Sequence, residues 1–593
     1  MRNKNVQKRQ TFRGLMMKKF LRTAVIFLLT AMICLSVVGC NGSIPANTAL
    51  MWVAGGSDEL RYLDTIATEY NKIDDSKQIR FISMGTYNTM LESFKYGNNL
   101  PDIVYIDDEY FKRFVDGNFL KPLDELLEES TLDISSMWPQ AVSRYRYNPE
   151  NNTSNASDPL WAIPKELDST VLYYNEGAFT ASGITVISVP EEKIAEFNAG
   201  TYRDGNGKLK SEYPALSSRE VLAKGYMRDN PYTQGNIWVT PQSGELLVFN
   251  NRIPMSWDEV EDLAMYMTRS YRTASPTLYG YYTEFWFNYG WSVGGDCIGD
   301  INGDGQWEFT LDDNHPNYKV LKDTTINGVE YKASGEGNDF VFVEYKEKNW
   351  LAANEATAES LVADGTLEKF PSTLEAFTRF AALSRDTTST DPVGLAVAQK
   401  PSGASAASDT NAALGKFNMG TELAMFVGFS DNLGSLSTKV NWNIAPLPVY
   451  KTYNLNGSIK QIGMRSGHGR GYGVGIVSNT EKTEIAMDFL EYFLGESGQK
   501  ALAGRGERIP NNMDIAMSDW LKSGKNYEQV VIETQYQRPG DWWYMPERAW
   551  IANWSQPLNQ NQVSVRNSNL TLTQYFLNIK QPTNEALQKF WKK

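Results

Sequence analysis

Hydrophobic positions between residues 49 and 107 alternate between the spacing of strands and the spacing of a helix. Residues 49–54 (ALMWVA) and 78–84 (QIRFISM) are short runs that predict strands. Between them, Ser57 is the predicted N-cap of a helix with one apolar face, formed by Leu60, Leu63, Ile66, Tyr70 and Ile73. This strand–helix–strand order predicts a βαβ unit with parallel strands.

The next stretch, residues 85–127, continues the same alternation. Met90, Leu91 and Phe94 recur at helical spacing, and residues 102–107 (DIVYID) form an apolar strand that ends at Asp107 and Asp108. Polar side chains at the carboxyl end of a strand in an α/β sheet lie where such sheets bind ligands. The same carboxylates also suit the cap of a following helix, so the pattern leaves both roles open.

The segment that follows, residues 160–184, carries a motif rather than a plain periodicity. Trp161-Ala-Ile-Pro164, Asp168, Leu172-Tyr-Tyr-Asn175 and Gly183-Ile184 occur in that order. This order resembles the solute-binding proteins of carbohydrate ABC importers, as does the earlier run from Pro101 to Leu123. In that family the segment crosses between two lobes and faces the cleft between them.

Further motifs of the family follow along the chain. They are Pro254-Met-Ser-Trp-Asp-Glu-Val260, the aromatic stretch 279–296, the stretch 417–448 that ends in Pro446-Leu-Pro448, and Ile509-Pro510. Ser256 and Glu259 form a predicted capping box in the first of these. That motif comes later than in the family, so residues 186–252 are an insertion. They are polar and rich in Gly, Asn and Pro, and they either cover the cleft or decorate the surface.

The resemblance implies an α/β, two-lobed periplasmic-binding-protein-like fold of type II, with insertions. A chain of 593 residues is also too long for one hydrophobic core. The predicted boundaries are 1–39 for a signal peptide, 40–160 for the first part of lobe 1, 161–420 for lobe 2 with its insertion, 421–480 for a return to lobe 1, and 481–593 for C-terminal helical segments that complete lobe 2.

The first forty residues have the features of an export signal. Lys18, Lys19 and Arg22 precede an apolar run at 24–38 that is short for a membrane span. The run ends at Val37-Val38-Gly39-Cys40, which resembles a bacterial lipobox. The resemblance implies cleavage before Cys40, lipidation of its thiol (palmitate) and anchoring on the extracellular face of the cell membrane, in a Gram-positive bacterium. An uncleaved signal-anchor helix is the alternative.

Charge and cysteine usage exclude other classes of protein. Residues 1–39 hold eight of the 57 basic residues and no acid, which leaves 49 basic and 70 acidic residues and a net charge of −21. This charge argues against nucleic acid and favours an uncharged or cationic ligand. After Cys34 and Cys40 only Cys297 remains, so no intramolecular disulfide is expected and Cys297 is predicted to be buried.

Aromatic residues make up 12% of the chain, which suits a site that binds sugar rings. Aromatic faces stack on the C–H face of a sugar, and carboxylates or guanidinium groups bind its hydroxyls. The predicted ligand-binding residues are Trp52, Asp107, Asp108, Asp168, Trp286, Trp291, Trp442, His468, Arg470, Trp542 and Trp543. Core or hinge packing is the alternative for each Trp, and a flexible turn is the alternative for His468 and Arg470.

Residues 300–312 match the first half of a calcium-binding loop. Asp300, Asn302 and Asp304 supply oxygen at positions 1, 3 and 5, and Gln306 offers its backbone carbonyl. Position 12 is Leu311, so Asp312 would have to complete the site. A hairpin turn at Asp304-Gly305 is the competing interpretation.

The motif order favours a lipid-anchored binding protein that captures an oligosaccharide between its lobes and delivers it to ABC permease subunits. No catalysis and no cofactor are required for that role, apart from the structural calcium considered above. Two alternatives stay open. One is a secreted glycoside hydrolase that uses a carboxylate pair, and the other is a surface lipoprotein that binds a peptide or a protein.

Overall fold

The computed structural model describes residues 44–591, apart from 98–99, 151–152, 234–237, 305, 384–409, 507, 524–526 and 539–571. Within these ranges, no helix has the length and apolar character needed to cross a membrane. The predicted signal peptide and Cys40 lie outside the described residues.

The first sheet confirms the predicted parallel βαβαβ unit. Thr48–Val53 pairs in parallel with Gln78–Ser83 on one side and with Ile103–Asp107 on the other. The intervening helix spans Ser57–Tyr70 and its N-cap is Gly56, one residue before the predicted cap. The strand order of this sheet is Gln78–Ser83, Thr48–Val53, Ile103–Asp107, Tyr472–Ile476 and Ile163–Pro164.

The second sheet is built around the strand Glu166–Asn175, whose ten residues are all buried. Val171 and Tyr173 belong to one hydrophobic cluster, whereas Leu172 and Tyr174 belong to another. This alternation shows that both faces of the sheet are covered. The strand order is Gln537–Arg538, Gly467–Arg470, Glu166–Asn175, Leu423–Phe429 and Tyr279–Tyr282, and both Trp442–Ala445 and Ile509–Pro510 also pair with Glu166–Asn175.

Two neighbouring segments, which we call the crossing segments, pass between the two sheets. The first runs from Ile163–Pro164 through Lys165 into Glu166–Asn175, and the second runs from Gly467–Arg470 through Gly471 into Tyr472–Ile476. The Lys165 amide donates to the Tyr472 carbonyl at 2.7 Å. The segments are antiparallel, because Arg470 is in register with Asp168 in the second sheet and Gly473 with Pro164 in the first. The chain therefore crosses twice at one place.

Strand pairing corrects two of the predicted boundaries. Leu423–Phe429 and Trp442–Ala445 belong to the second sheet, so only the end of the 421–480 range, at Tyr472–Ile476, returns to the first. The helix Thr483–Leu494 packs in the core of the first sheet through Phe489 and its neighbours, and not in lobe 2. Helical periodicity carries no information about which sheet a helix covers.

The insertion folds as a unit with its own core. Thr185–Ile187, Leu247–Asn250 and Tyr226–Arg228 form a three-stranded sheet in that spatial order. We call it the insertion sheet. Its hydrophobic cluster includes Phe197 and Leu216, both fully buried.

The predicted capping box is also present in the structure. The Glu259 amide donates to Ser256 Oγ, and the Ser256 amide donates to a Glu259 carboxylate oxygen. These two bonds begin the helix Trp257–Tyr266.

The remaining elements flank these sheets. The two-stranded pairs are Ile298–Gly299 with Glu308–Phe309, Pro316–Val320 with Leu367–Ser372, Thr324–Ile326 with Val329–Tyr331, and Lys451–Tyr453 with Ile459–Ile462. The other α-helices are Tyr87–Tyr96, Phe111–Asp116, Asp124–Glu128, Pro139–Val142, Glu176–Ala181, Ile194–Asn198, Phe287–Gly290, Tyr345–Ala353, Glu355–Ala363, Thr373–Ala382, Thr410–Asn418, Glu496–Ala503, Met513–Ser518, Tyr527–Thr534 and Leu572–Trp591.

The crossing segments approach too closely at Gly471 for a side chain. A Cβ atom there would lie 2.6 Å from the Glu166 carbonyl oxygen. We expect Gly471→Ala to lower the free energy of unfolding by about 1–3 kcal/mol, measured by urea denaturation. Gly415 is the matched control, because it is exposed in a helix and a Cβ atom added there would have no neighbour within 4 Å. Gly415→Ala should stabilise the protein by about 0.5–1 kcal/mol. Equal effects of the two substitutions would contradict the close approach.

Candidate functional site

A continuous series of alternating charges lies where the crossing segments meet, and we call it the charge chain. Its members, in order of contact, are Glu59, Lys165, Glu166, Arg508, Asp431, Arg470 and Asp168. After the Glu59–Lys165 pair, the successive N–O distances are 2.7, 3.2, 3.9, 2.7 and 2.9 Å. The series begins on the first helix of lobe 1 and ends in the second sheet, so it connects the two lobes.

Lys165 is the buried link between the lobes. Its side chain is fully buried and pairs with both Glu59 and Glu166. Its ammonium group also lies 5.2–5.6 Å from the ring centres of Tyr62, Tyr105 and Tyr472. A buried ammonium group is stable only with such partners, since its desolvation is costly.

The opposite end of the charge chain reaches solvent. The Arg470 side chain is 39% exposed, and its Nε and Nη2 atoms donate to Asp168 and Asp431 respectively. Asp168 is fully buried and also accepts bonds from Ser430 Oγ and the Asp431 amide. Asp168 therefore fixes the position of Arg470, whose side chain is the most exposed in the charge chain.

Two carboxylates of the charge chain titrate differently. Burial raises the pKa of Glu59, but Lys165 and Arg508 outweigh that effect and lower it to about 2. Burial and the neighbouring Asp168 raise the pKa of Asp431 to about 6, against the opposing effect of Arg470 and Arg508. Glu59 is thus ionised at every physiological pH, whereas Asp431 titrates near pH 6.

Aromatic rings border the charge chain on both sides. Tyr472 is half-buried and stacks on Tyr105, with ring centres 4.9 Å apart. The Arg470 guanidinium lies 3.8 Å from the centre of the Phe429 ring. At the end of the strand Ile103–Asp107, the half-buried rings of Tyr87 and Tyr110 stack at 4.9 Å. These partly exposed rings beside charged groups suit a ligand that has both apolar faces and hydroxyl groups.

The structure brings four of the predicted ligand-binding residues to this junction. Asp168 and Arg470 form an ion pair across the second sheet. Asp107 is in register with Tyr472 of the second crossing segment, and its carboxylate also caps the turn by accepting from the Glu109 amide. The Asp108 amide donates to the Gly471 carbonyl at 3.1 Å. Ligand contact by these residues stays a prediction.

Asp108 forms a second buried ion pair beside the crossing. Its carboxylate accepts from Arg144 Nη1 at 3.1 Å, and both side chains are almost completely buried. Arg144 Nη2 donates to the carbonyl of Arg538, on the edge strand of the second sheet. Burial raises the pKa of Asp108 well above its usual range. Asp108 therefore acts in the contact between the lobes and does not cap a helix.

The predicted stacking tryptophans lie in the hydrophobic cores. Trp52 is 6% exposed and packs edge-on against Phe94. Trp286 and Trp291 are 2% and 3% exposed and contact each other in the core of lobe 2. All three side chains are buried in this conformation and so are not accessible for stacking on a ligand, and the Arg538 guanidinium lies 5.6 Å from the centre of the Trp291 ring.

Trp442 is half-buried but lies at the other end of the second sheet. It is in register with Asn175, seven residues from Asp168 along the same strand. That separation is roughly 23 Å at the rise of an extended strand. The sequence spacing of Trp442 and Asp168 does not reveal this distance, because the distance is set by the register of Trp442 with Asn175 on the partner strand.

His468 is part of a strand and not of a flexible turn. It is 4% exposed, lies between Phe285 and Phe429, and is in register with Arg538. Trp542 and Trp543 lie outside the described residues.

The 300–312 loop forms the predicted hairpin, since Ile298–Gly299 pairs antiparallel with Glu308–Phe309. Asp300 accepts from the Asp304 amide, and Asp312 pairs with Lys580 at 2.8 Å. Asn302 donates to Glu308, and the Gln306 amide donates to Asp304. Among the described residues, no group of three or more His, Cys, Asp or Glu side chains is arranged to hold a metal ion. Calcium binding stays a prediction, and the Asp312 carboxylate is already bound to a cation.

The sequence motifs do not predict most of the charge chain. Lys165 and Glu166 directly follow the Trp161–Pro164 motif, and Arg508 directly precedes Ile509-Pro510. The sequence signal that could have identified these three residues is therefore their position directly beside the family motifs. Glu59 and Asp431 have no such signal, because only the tertiary fold brings them to the junction.

The raised pKa of Asp431 makes a testable contribution to stability. As the pH rises from about 4 to 6, the unfolded chain releases this proton before the folded protein does. We expect the wild type to lose stability relative to Asp431→Asn over that range, and the difference to be constant above pH 7. Urea denaturation of both proteins at pH 4, 5, 6 and 7 measures this. A difference that does not change with pH would show that Asp431 is not perturbed.

No protein-family model matches this sequence. A search of curated proteins likewise finds no match.

Solved structures, by contrast, are similar over most of the chain. The sugar-binding protein MalE from Xanthomonas citri aligns with a TM-score of 0.53 and 12% identity, over 91% of this chain and 98% of that one. The ABC substrate-binding protein Lmo0181 from Listeria monocytogenes, in complex with cycloalternan, aligns with a TM-score of 0.51 and 14% identity, over 91% of this chain and 98% of that one. UgpB from Mycobacterium tuberculosis, in complex with glycerophosphocholine, aligns with a TM-score of 0.51 and 12% identity, over 92% of this chain and 99% of that one. The chain therefore has the two-lobed α/β fold of the ABC-transporter solute-binding proteins.

Proposed function

We propose that this protein captures a carbohydrate, most simply an oligosaccharide, between its two lobes and delivers it to an ABC importer. The observation that carries the proposal is the charge chain, bordered by aromatic rings, at the point where two crossing segments join the lobes. Groups from both lobes meet there, so a ligand that contacts both would stabilise a closed arrangement.

The chemistry of the junction supports a polyhydroxylated ligand. The fold alone does not determine the ligand, since one similar structure is a complex with cycloalternan and another is a complex with glycerophosphocholine. The partly exposed Arg470 side chain offers hydrogen-bond donors, and the half-buried rings of Tyr472, Tyr87 and Tyr110 offer flat apolar faces. Donors beside ring faces match the hydroxyl rim and the C–H face of a sugar.

The same contacts support binding without catalysis. A glycoside hydrolase needs one carboxylate as an acid and a second as a base or nucleophile on either side of the bond that breaks. Asp168 and Asp431 are instead bridged by one guanidinium, and Glu59 and Glu166 share Lys165. Carboxylates held by cations in this way position their partners at the junction.

The N-terminal sequence supplies the cellular context of the proposal. The lipobox-like sequence that ends at Cys40 supports a lipid anchor on the outer face of the cell membrane. A tethered binding protein of this kind would exchange its ligand with permease subunits in the same membrane.

Arg470→Lys tests the role of the junction. Lysine keeps the charge but does not bridge Asp168 and Asp431 as the planar fork of arginine does. Isothermal titration calorimetry against neutral oligosaccharides, with maltotetraose and cycloalternan among them, should show binding by the wild type. The variant should bind about tenfold more weakly, which corresponds to about 1.4 kcal/mol. Small-angle X-ray scattering should show a smaller radius of gyration for the wild type with ligand.

Arg252→Lys is the matched control. Arg252 makes a two-bond pair with Glu528 on an exposed surface, at 3.0 and 3.1 Å, away from the crossing segments. The affinity of the Arg252→Lys variant for oligosaccharides should equal that of the wild type. Release of reducing sugar with time would favour the hydrolase instead. Binding of glycerophosphocholine or of peptides, with no binding of any oligosaccharide, would overturn the carbohydrate proposal.

A further inference from the structure

An arginine that does not belong to the charge chain lies beside the junction, on the edge strand Gln537–Arg538 of the second sheet. Arg538 is exposed and is in register with His468 of the second crossing segment. Its carbonyl accepts a hydrogen bond from Arg144 Nη2, and Nη1 of the same guanidinium group donates to Asp108 of lobe 1. The backbone of Arg538 is therefore held in lobe 2 by its strand and is also tied to lobe 1.

Other cations beside the junction have carboxylate partners. Arg144 pairs with Asp108 at 3.1 Å, and Arg465 pairs with Glu533. Each of the three cations of the charge chain contacts two carboxylates. The protein itself thus balances the charge of these five groups.

Arg538 differs, since it makes no ion pair with the residues that the structure describes. Its Nη1 atom lies 3.7 Å from Met464 Sδ, and the central carbon of its guanidinium group lies 5.6 Å from the centre of the Trp291 ring. A thioether is a weak acceptor, and an aromatic face attracts a cation without using up its N–H donors. The group is therefore oriented by its surroundings, while most of its N–H donors keep their capacity for a ligand.

Arg538 and Arg470 project from the same face of the second sheet. Arg538 is in register with His468, and Arg470 is two residues further along the neighbouring strand. From the spacing and rise of strands, the α-carbons of the two arginines are about 8 Å apart. The Arg470 guanidinium group extends away from Arg538, because it bonds to Asp168 on the strand at the other side. Two groups of donors separated in this way suit successive units of an oligosaccharide better than a single sugar ring.

We propose that Arg538 is a ligand-binding residue, which donates hydrogen bonds to the hydroxyl groups of a second sugar unit, next to the unit at Arg470. This inference rests on the proposed function and adds to it a contact from the edge strand of lobe 2. A side chain that is already oriented loses less entropy on binding than one that rotates freely. The site would therefore favour ligands of two or more units, since a monosaccharide at Arg470 would leave Arg538 unused.

Chemical protection of the whole protein tests this contact. Phenylglyoxal modifies accessible arginine side chains, and mass spectrometry of peptides identifies which ones have reacted. Arg538 should be modified in the free protein. Maltotetraose or cycloalternan at ten times Kd should slow its modification about tenfold, because only about one protein molecule in eleven is then unliganded.

Arg80 is the matched control for the protection experiment. It is also exposed and makes no ion pair among the described residues, but it lies on the strand Gln78–Ser83 at the far edge of the first sheet. Its modification rate should be the same with and without the oligosaccharide.

Arg538→Met gives a second measurement, since methionine keeps an unbranched apolar chain beside Trp291 but has no N–H donors. Calorimetry should show that this variant binds the same oligosaccharide about tenfold more weakly. Its melting temperature should equal that of the wild type, because an exposed side chain without an ion pair is removed. Arg80→Met should bind as the wild type does.

The outcomes separate this inference from the proposed function. If the wild type binds an oligosaccharide but Arg538 is not protected, or if Arg538→Met binds as tightly as the wild type, the inference is wrong and the proposed function stands. Equal protection of Arg80, or no reaction of Arg538 in the free protein, would also overturn the inference alone. If the wild type binds no oligosaccharide, the proposed function is wrong, and this inference is wrong with it.

Discussion

The buried ammonium group of Lys165 is the interaction on which the arrangement of the two lobes depends. It lies between the two sheets, neutralises Glu59 on one side and Glu166 on the other, and is enclosed by three tyrosine rings. A charge in this position is tolerated only while every partner is in place, since breaking a buried pair costs about 3–5 kcal/mol. The backbone bond from Lys165 to Tyr472 then holds the second crossing segment beside the first.

From this link the alternating charges extend toward solvent. Glu166 and Asp431 are each shared by two cations. Asp168 accepts from backbone and hydroxyl donors as well as from Arg470, so a fully buried carboxylate holds the partly exposed Arg470 side chain in place. Rigid placement of this kind lowers the entropy lost when a ligand binds. Under the proposed function, the same network would connect the residues that contact the ligand with the crossing segments, and binding would be coupled to closure in this way.

The insertion shows a different solution to the same problem of satisfying buried polar groups. Glu259 and Asp262 of the adjoining helix are bound by backbone amides, an arginine and a tryptophan, whereas two tyrosine hydroxyls of the insertion are left without described partners. It has its own sheet and its own hydrophobic cluster. The insertion is therefore a folded unit with a core of its own and not a loose surface loop.

Local pattern determined the secondary structure of lobe 1, its parallel strand pairing and the capping box of Ser256 and Glu259, because these depend on residues close together in the chain. The motif around Trp161–Asn175 also identified the crossing segment and Asp168. Only the tertiary structure decided that Trp286 and Trp291 are core residues, that Trp442 lies at the far end of the second sheet, and that Glu59 and Asp431 meet Lys165 and Arg470 at the junction. The physical reason is that burial and ion pairing depend on contacts between residues tens to hundreds of positions apart, and composition and periodicity carry no record of those contacts.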